Sequence, residues 1–256
     1  MFIDAHAHLD DPILASREEE VVAAAKAAGV GVIINASSDL PSSEASVSLA
    51  ERRENVYAVI GVHPHEAKTY NAEVERRLVE LSENKKVVAF GEIGLDYHYD
   101  LSPRDVQQAV LEREIELAAE LSLPVVFHVR EAYEDFNRII ESKKKYLTQG
   151  SLLHCYGGSA ELAKYYSKNF DCYFSFGGVL TFAKHKDVVL AEIPKERLLL
   201  ETDCPYMTPV PYRGTPNEPK HIPLVAGKMA ELIGISTKET EDITTQNALR
   251  FYRIKV

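Results

Sequence analysis

Two histidines near the start of the chain, His6 and His8, are separated by a single alanine. In an extended strand side chains alternate between the two faces, so both imidazoles would point to one side, together with Asp4. Imidazole nitrogens are common ligands of divalent metals, and two of them on one face can hold one ion. The segment therefore predicts part of a metal site whose remaining ligands come from elsewhere in the chain.

A similar pattern recurs along the sequence, where most predicted strands end in two polar residues at a spacing of two or four. The pairs are His6/His8, His63/His65, Glu92/Asp96, His128/Arg130, His154/Tyr156 and Glu201/Asp203. Such spacing puts both members on one face of a strand. A single histidine at a strand end is more often a hydrogen-bonded structural residue, so the prediction rests on the joint pattern. Many imidazoles and carboxylates with few cations among them need a compensating positive charge, which a divalent metal supplies.

The elements that would position these pairs are eight short apolar runs separated by longer amphipathic segments. The runs span residues 2–8, 30–37, 56–65, 87–97, 124–131, 151–156, 172–178 and 197–205. Each run is typical of a strand, and the segments between them are typical of helices. In the helix predicted over residues 102–122, Ser102 is expected to cap and Pro103 to take the first helical position. Two closing helices are predicted over residues 219–252.

Eight strands that are each followed by a helix predict an α/β fold, a parallel (β/α)₈ TIM barrel formed as a single domain by residues 1–256. In that fold the carboxyl ends of all the strands open at one mouth, where the polar pairs would meet. An open doubly wound sheet also alternates strands and helices, and it is the alternative.

The net charge of −10 argues against broad electrostatic capture of nucleic acid, so a phosphate substrate would need local arginines or bound cations. Three cysteines form no paired motif, and no secretory signal or membrane span is apparent. These features predict a cytoplasmic protein without a membrane partner. No exposed apolar stripe is evident in the sequence, so we expect a monomer.

Eight motifs follow one another between residue 2 and about residue 219. They are FIDAHAHLD, GVHPH, GEIGLDYH, FHVR, LLHCYGGS, SFGG, LLLETDCPYMTP and YRGTPNEP. In order and spacing they resemble the TatD family of metal-dependent deoxyribonucleases, which belongs to the amidohydrolase-like barrel superfamily. The resemblance implies the barrel fold and a centre of two divalent metal ions, with zinc, manganese and magnesium as the candidates.

The resemblance also implies a role for individual residues. One metal ion would bind His6, His8, Glu92 and Asp203, and the second would bind Glu92, His128 and His154. Asp203 and Glu92 would be catalytic, with Asp203 accepting the proton of the attacking water. The residues implied on the substrate side are His63, His65, Arg130, Tyr156 and Arg213.

The implied reaction is hydrolysis of a DNA phosphodiester bond by a metal-activated water, with 3′-to-5′ exonuclease action on single strands expected. The same site could instead deacylate D-aminoacyl-tRNA or hydrolyse another ester or amide, and the sequence does not separate these reactions. A barrel used only for binding is a third alternative, against which the complete ligand set argues. A nuclease should also carry basic and aromatic residues along a track for nucleotides. The candidates on predicted mouth loops are Tyr97, Tyr99, Arg104, Tyr206 and Tyr212.

Overall fold

The computed structural model describes residues 1–255, over which eight strands alternate with helices. The strands are β1 (Phe2–Ala7), β2 (Val30–Ala36), β3 (Val56–Ile60), β4 (Val87–Asp96), β5 (Val125–Arg130), β6 (Ser151–Leu153), β7 (Cys172–Phe176) and β8 (Leu198–Leu200). They belong to one sheet in the sequential order β1 to β8, and the strand pairs are parallel. This is the strand order of the predicted (β/α)₈ TIM barrel.

Ten α-helices lie between and after these strands in the described part of the chain. They are α1 (Pro12–Ala15), α2 (Glu18–Ala27), α3 (Leu40–Arg52), α4 (Ala72–Ser82), α5 (Arg104–Glu120), α6 (Tyr133–Ser142), α7 (Ala160–Asn169), α8 (Lys186–Ala191), α9 (Ile222–Ile233) and α10 (Thr237–Tyr252). Short 3₁₀ helices span Pro64–Thr69, Lys144–Tyr146, Gly178–Thr181, Lys195–Arg197 and Pro219–His221. The closing helices predicted from the sequence are α9 and α10. Among residues 1–255, none of the helices has the length and apolar character needed to cross a membrane.

The chain divides into two compact units, and the first contains Met1–Asn35, Gly158–Asn169 and residues 173–255. Within this unit β1 pairs with β2 and β7 pairs with β8. Helix α10 packs against β1 and β8, and the buried Tyr252 hydroxyl donates a hydrogen bond to the Ala5 carbonyl at 2.7 Å. The last helix thereby fixes the strand that carries His6.

The second unit contains Ala36–Gly157 and Phe170–Cys172. Strand β4 pairs with both β3 and β5, and β5 pairs with β6. Its core includes the fully buried rings of Phe90, Phe127 and Phe136, of which the last two meet edge to face at 5.0 Å. Strands β3 and β4 are apolar runs because helices cover one face and core side chains the other.

Three strands end before the polar pairs that the sequence placed on them. They are β3, β6 and β8, and the pairs that lie beyond them are His63/His65, His154/Tyr156 and Glu201/Asp203. For these pairs the argument from strand alternation was wrong. His63 instead precedes the 3₁₀ helix that begins at Pro64, and the backbones of Cys155 and Asp203 have positive φ angles of 43° and 53°. Turn geometry, which alternation does not describe, positions these side chains.

Helix α5 begins at Arg104 with Pro103 as its N-cap residue, and no side chain caps it. The expectation that Ser102 caps this helix, with Pro103 at the first helical position, was therefore wrong. The Ser102 hydroxyl instead donates to the His65 carbonyl at 2.8 Å and accepts from the Lys68 amide at 3.2 Å. Ser102 thus ties the segment before α5 to the 3₁₀ helix that carries His65.

Gly94 on β4 offers a test of how closely the strands of the second unit approach. It pairs with His128 of β5, its φ is +151°, and a Cβ at this position would lie 1.8 Å from the His128 carbonyl oxygen. We expect Gly94→Ala to lower the free energy of unfolding by about 3 kcal/mol or more, because neither backbone can move without breaking the sheet. Urea unfolding followed by circular dichroism measures this.

The matched control is Gly227→Ala in α9, where a Cβ meets nothing within 4 Å. Alanine is the better helix former, so this change should stabilise by up to about 1 kcal/mol. Equal unfolding midpoints for the two variants would contradict the close approach at Gly94.

Candidate metal centre

The first unit brings together His6, His8 and Asp203. One donor atom from each of the three side chains lies within 4.8 Å of the others. The His8 Nε2 is 3.3 Å from the Asp203 Oδ1, and the His6 Nε2 is 4.0 Å from the same oxygen. His6 is buried, and the two imidazole rings meet edge to face at 5.0 Å. Two imidazoles and one carboxylate at this spacing are a donor set for a divalent metal.

Backbone hydrogen bonds hold this triad between the end of β1 and the loop after β8. The Asp203 amide donates to the His6 carbonyl, and the His8 amide donates to the Cys204 carbonyl, both at 2.9 Å. The buried Asp4 carboxyl accepts from the amide and hydroxyl of Thr202 at 2.9 and 2.5 Å. Asp4 therefore positions the residue before Asp203.

The environment of Asp4 also decides its charge. Burial raises the pKa of the Asp4 carboxyl to about 8, against the hydrogen bonds from Thr202 that lower it. Asp4 is consequently protonated at pH 7, so it holds Thr202 in place without adding negative charge near the triad.

The second unit gathers imidazoles around the Glu92 carboxylate. Its Oε1 lies 2.7 Å from the His154 Nε2, 2.9 Å from the His128 Nδ1 and 3.4 Å from the His63 Nε2. His63, Glu92 and His128 form a triad of donor atoms within 4.8 Å of one another. Burial lowers the pKa of His63 to about 3, which keeps its imidazole neutral. Imidazoles beside a carboxylate again match the ligand chemistry of a divalent transition metal.

Asp96 is a member of this cluster to which the sequence assigned no role, although its pairing with Glu92 was recognised. Its Oδ2 lies 2.9 Å from the His65 Nε2 and 3.0 Å from the His128 Nε2. Burial raises the pKa of this carboxyl, but the hydrogen bonds from the two imidazoles outweigh burial and leave the pKa below its usual range. The charged Asp96 thereby orients His128 so that its Nδ1 faces Glu92.

Glu114 on α5 is a second residue that sequence reasoning missed. Its Oε1 accepts the Val62 amide at 2.8 Å, next to His63, and its side chain is buried with Oε2 lacking a hydrogen bond. Burial raises the pKa of this carboxyl well above its usual value. The available signal was a charged residue within the apolar face of a helix, between Leu111 and Ile115.

The residues predicted on the substrate side are distributed over both units. Arg130 is the last residue of β5, and its guanidinium lies 4.7 Å from the centroid of the Tyr99 ring. Tyr156 is buried near the ring of Tyr133. Arg213, in the first unit, donates to the Thr208 carbonyl at 3.0 Å and covers the Phe182 ring at 4.0 Å. Their contacts with a substrate stay predictions, as does the assignment of Glu92 to both metal ions.

Known proteins are similar to this one over almost the whole length of the chain. Residues 3–253 match the family of TatD related DNases. The uncharacterized metal-dependent hydrolase YabD of Bacillus subtilis is 43% identical over 257 residues, which cover 99% of this chain and 100% of that protein. The 3′-5′ ssDNA/RNA exonuclease TatD of Cronobacter sakazakii is 34% identical over 241 residues, 91% of each chain.

The solved structures include a close match in fold. The crystal structure of YjjV, a TatD homologue from Escherichia coli K12, has a TM-score of 0.92 and 29% identity to this chain, and the match covers 99% of this chain and 98% of that chain. This similarity, together with the sequential parallel strand order, confirms the predicted TIM barrel.

Asp96→Asn tests the orientation of the imidazoles in the second unit. An asparagine has one acceptor oxygen and no charge, so it cannot accept both from the imidazoles now bound to Oδ2 and from the backbone amides now bound to Oδ1. We expect metal affinity or activity to fall about 10- to 100-fold with the fold retained. Metal content after dialysis, measured by mass spectrometry, checks this. Asp135→Asn, which alters a carboxylate bound to Tyr97 and Arg138 outside the cluster, should leave metal content unchanged.

Glu114→Gln tests the neutral state of the buried carboxyl. Because the folded pKa lies above the usual value of 4.5, wild-type stability is greatest below that pH and declines as the pH rises towards the folded pKa. Glutamine keeps an acceptor for the Val62 amide but cannot ionise. The variant should therefore gain stability relative to wild type by up to about 1.4 kcal/mol per pH unit within this window.

Urea unfolding at pH 5 and pH 8 measures the effect. A stability difference between wild type and variant that is the same at both pH values would contradict a raised pKa for Glu114.

Proposed function

Because the chain belongs to the family of TatD related DNases, we propose that this metal-dependent hydrolase cleaves phosphodiester bonds of single-stranded DNA from the 3′ end. The observation that carries the proposal is the pair of donor clusters, one in each unit. Each combines imidazoles with a carboxylate at the spacing of metal ligands. The direction and the single-stranded substrate rest on similarity to the 3′-5′ ssDNA/RNA exonucleases TatD of Cronobacter sakazakii and Pantoea ananatis.

In this proposal one divalent ion binds His6, His8 and Asp203, and a second binds Glu92, His128 and His154. Manganese and zinc suit such mixtures of imidazole and carboxylate, whereas magnesium prefers oxygen ligands and retains its waters. When bound, divalent ions lower the pKa of coordinated water and offset the charge of a phosphoryl group.

The side chains of the protein have complementary roles. Asp203 accepts the proton of the attacking water. It is the carboxylate of the first triad, and its side chain is partly exposed, whereas His6 is buried. Arg130 donates to a non-bridging phosphate oxygen with the fork geometry of its guanidinium. Asp4 and Asp96 hold the ligands in place, and neither needs to contact the substrate.

The sequence motifs add that the substrate contacts His63, His65, Tyr156 and Arg213. The sequence also leads us to propose a monomer located in the cytoplasm. Deacylation of D-aminoacyl-tRNA by the same residues is the reaction to be tested if DNA is not cleaved.

Digestion of 5′-labelled single-stranded DNA tests the proposal. The protein is stripped of metal and reloaded separately with magnesium, manganese or zinc. We expect a ladder of products that shorten from the 3′ end with at least one metal. Glu92→Ala and His6→Ala, which each remove a donor from one cluster, should lose the activity and keep the fold.

His185→Ala, an exposed histidine outside both clusters, is the control and should match wild type. Metal-bound protein that cleaves no DNA would contradict the nuclease proposal, and a D-aminoacyl-tRNA assay would follow. Unchanged turnover in His6→Ala would contradict the assignment of the first triad.

A further inference from the structure

The segment that follows β4 exposes two large apolar side chains beside the second donor cluster. Tyr99 and Leu101 are 54% and 55% exposed. Apolar side chains that are exposed next to one another are frequent at binding sites. This pair lies within five residues of Asp96, which hydrogen-bonds to His65 and His128.

The Tyr99 ring is held in place although it is exposed. The Asp96 Oδ1 accepts the amides of His98 and Tyr99, both at 2.9 Å. The ring meets His65 edge to face at 5.4 Å with an interplanar angle of 88°. One carboxylate therefore fixes both an imidazole of the cluster and the loop that presents Tyr99. A ring fixed in this way loses little conformational entropy when it binds a ligand.

Arg130 provides a positive charge at the same place. Its guanidinium lies 4.7 Å from the Tyr99 ring centroid, and over residues 1–255 it forms no ion pair with a carboxylate. The charged side chains nearby are paired with each other, Asp100 with Arg104 at 3.1 Å and Glu131 with His98 at 2.8 Å. The donors of Arg130 are thus available to an anionic ligand.

A second cation contacts the backbone of Leu101. The Lys68 Nζ donates to the Leu101 carbonyl at 3.2 Å and, within the described residues, has no carboxylate partner. An exposed aromatic ring beside a cation that lacks an acidic partner matches the surface on which single-stranded nucleic acid binds, with bases stacked on rings and phosphates on cations.

We propose that Tyr99 and Arg130 form a nucleotide subsite for single-stranded nucleic acid, in which a base near the 3′ end stacks on Tyr99 and its phosphate accepts hydrogen bonds from Arg130. This inference rests on the proposed nuclease function and adds to it a reason for single-strand preference. A base can stack on Tyr99 only after it leaves its own neighbours and its pairing partner. Stacking tolerates every base, so the subsite has little sequence preference.

The test measures kcat/KM for protein variants on two substrates, in the manner of a double-mutant cycle in which one change is made in the protein and the other in the substrate. Two 5′-labelled single-stranded octanucleotides are compared, one intact and one in which the last three nucleosides are abasic tetrahydrofuran residues. The manganese-loaded full-length protein is assayed as wild type, Tyr99→Ala, Tyr99→Phe and Arg130→Met. Tyr146→Ala is the matched control, because Tyr146 also lies next to a cation, Lys145 at 4.7 Å, but precedes β6 at the opposite end of the strand from His154.

Wild type should cleave the abasic oligonucleotide with a kcat/KM about tenfold lower than the intact one, since it loses base stacking. Tyr99→Ala should lose about tenfold on the intact oligonucleotide and nothing further on the abasic one. Tyr99→Phe and Tyr146→Ala should keep the preference for bases. Arg130→Met should lose activity on both oligonucleotides, because both carry phosphates.

Two results would overturn the inference, and they differ in what they imply. If Tyr99→Ala lowers kcat/KM equally on both oligonucleotides, or on neither, the subsite is wrong while the nuclease function stands. If metal-loaded wild type cleaves neither oligonucleotide, the nuclease function and the subsite are both wrong.

Discussion

Both candidate clusters depend on carboxyl groups that are buried, several of them next to imidazoles. A buried carboxyl must receive enough hydrogen bonds to stay charged, or it must take up a proton. Asp96 receives two imidazole donors and two amides, and its pKa stays low despite burial. Glu114 receives one amide and its pKa rises. The number and charge of the donors therefore decide where negative charge persists in the folded protein.

Asp4 shows that the number of donors alone does not decide this. It accepts bonds from Thr202 and from the His6 amide, yet burial and the nearby Glu201 raise its pKa. All of its donors are neutral, whereas those of Asp96 include imidazoles that can carry charge. Among these three carboxyls, negative charge thus persists on Asp96, which accepts from imidazoles, and is suppressed on Asp4 and Glu114, whose donors are neutral.

The sequence predicted the eight strands because apolar runs buried on both faces differ clearly from amphipathic helices. It predicted the residue types of both clusters, but strand alternation explains only some of their positions. His154 and Asp203 lie on loops whose direction depends on turn conformations such as the positive φ of Cys155, which no period in the sequence encodes. The roles of Asp96 and Glu114 could not be predicted for a different reason. Each depends on donors that are distant in sequence, the imidazoles of His65 and His128 for Asp96 and the Val62 amide for Glu114.

The acidic composition of the chain constrains how it can recognise the phosphate of the proposed substrate. Many cations are already paired at the surface, as Arg76 is with Glu73 and Arg113 with Glu75, so they add little to a long-range field. Arg130 and Lys68, by contrast, have no acidic partner in the described chain; Arg130 lies beside the exposed Tyr99, and Lys68 contacts the Leu101 carbonyl. Attraction from a distance is weak when the net charge is −10. Recognition of a nucleic acid must therefore come from a few short-range contacts close to the donor clusters, which favours a strand end over a long duplex tract.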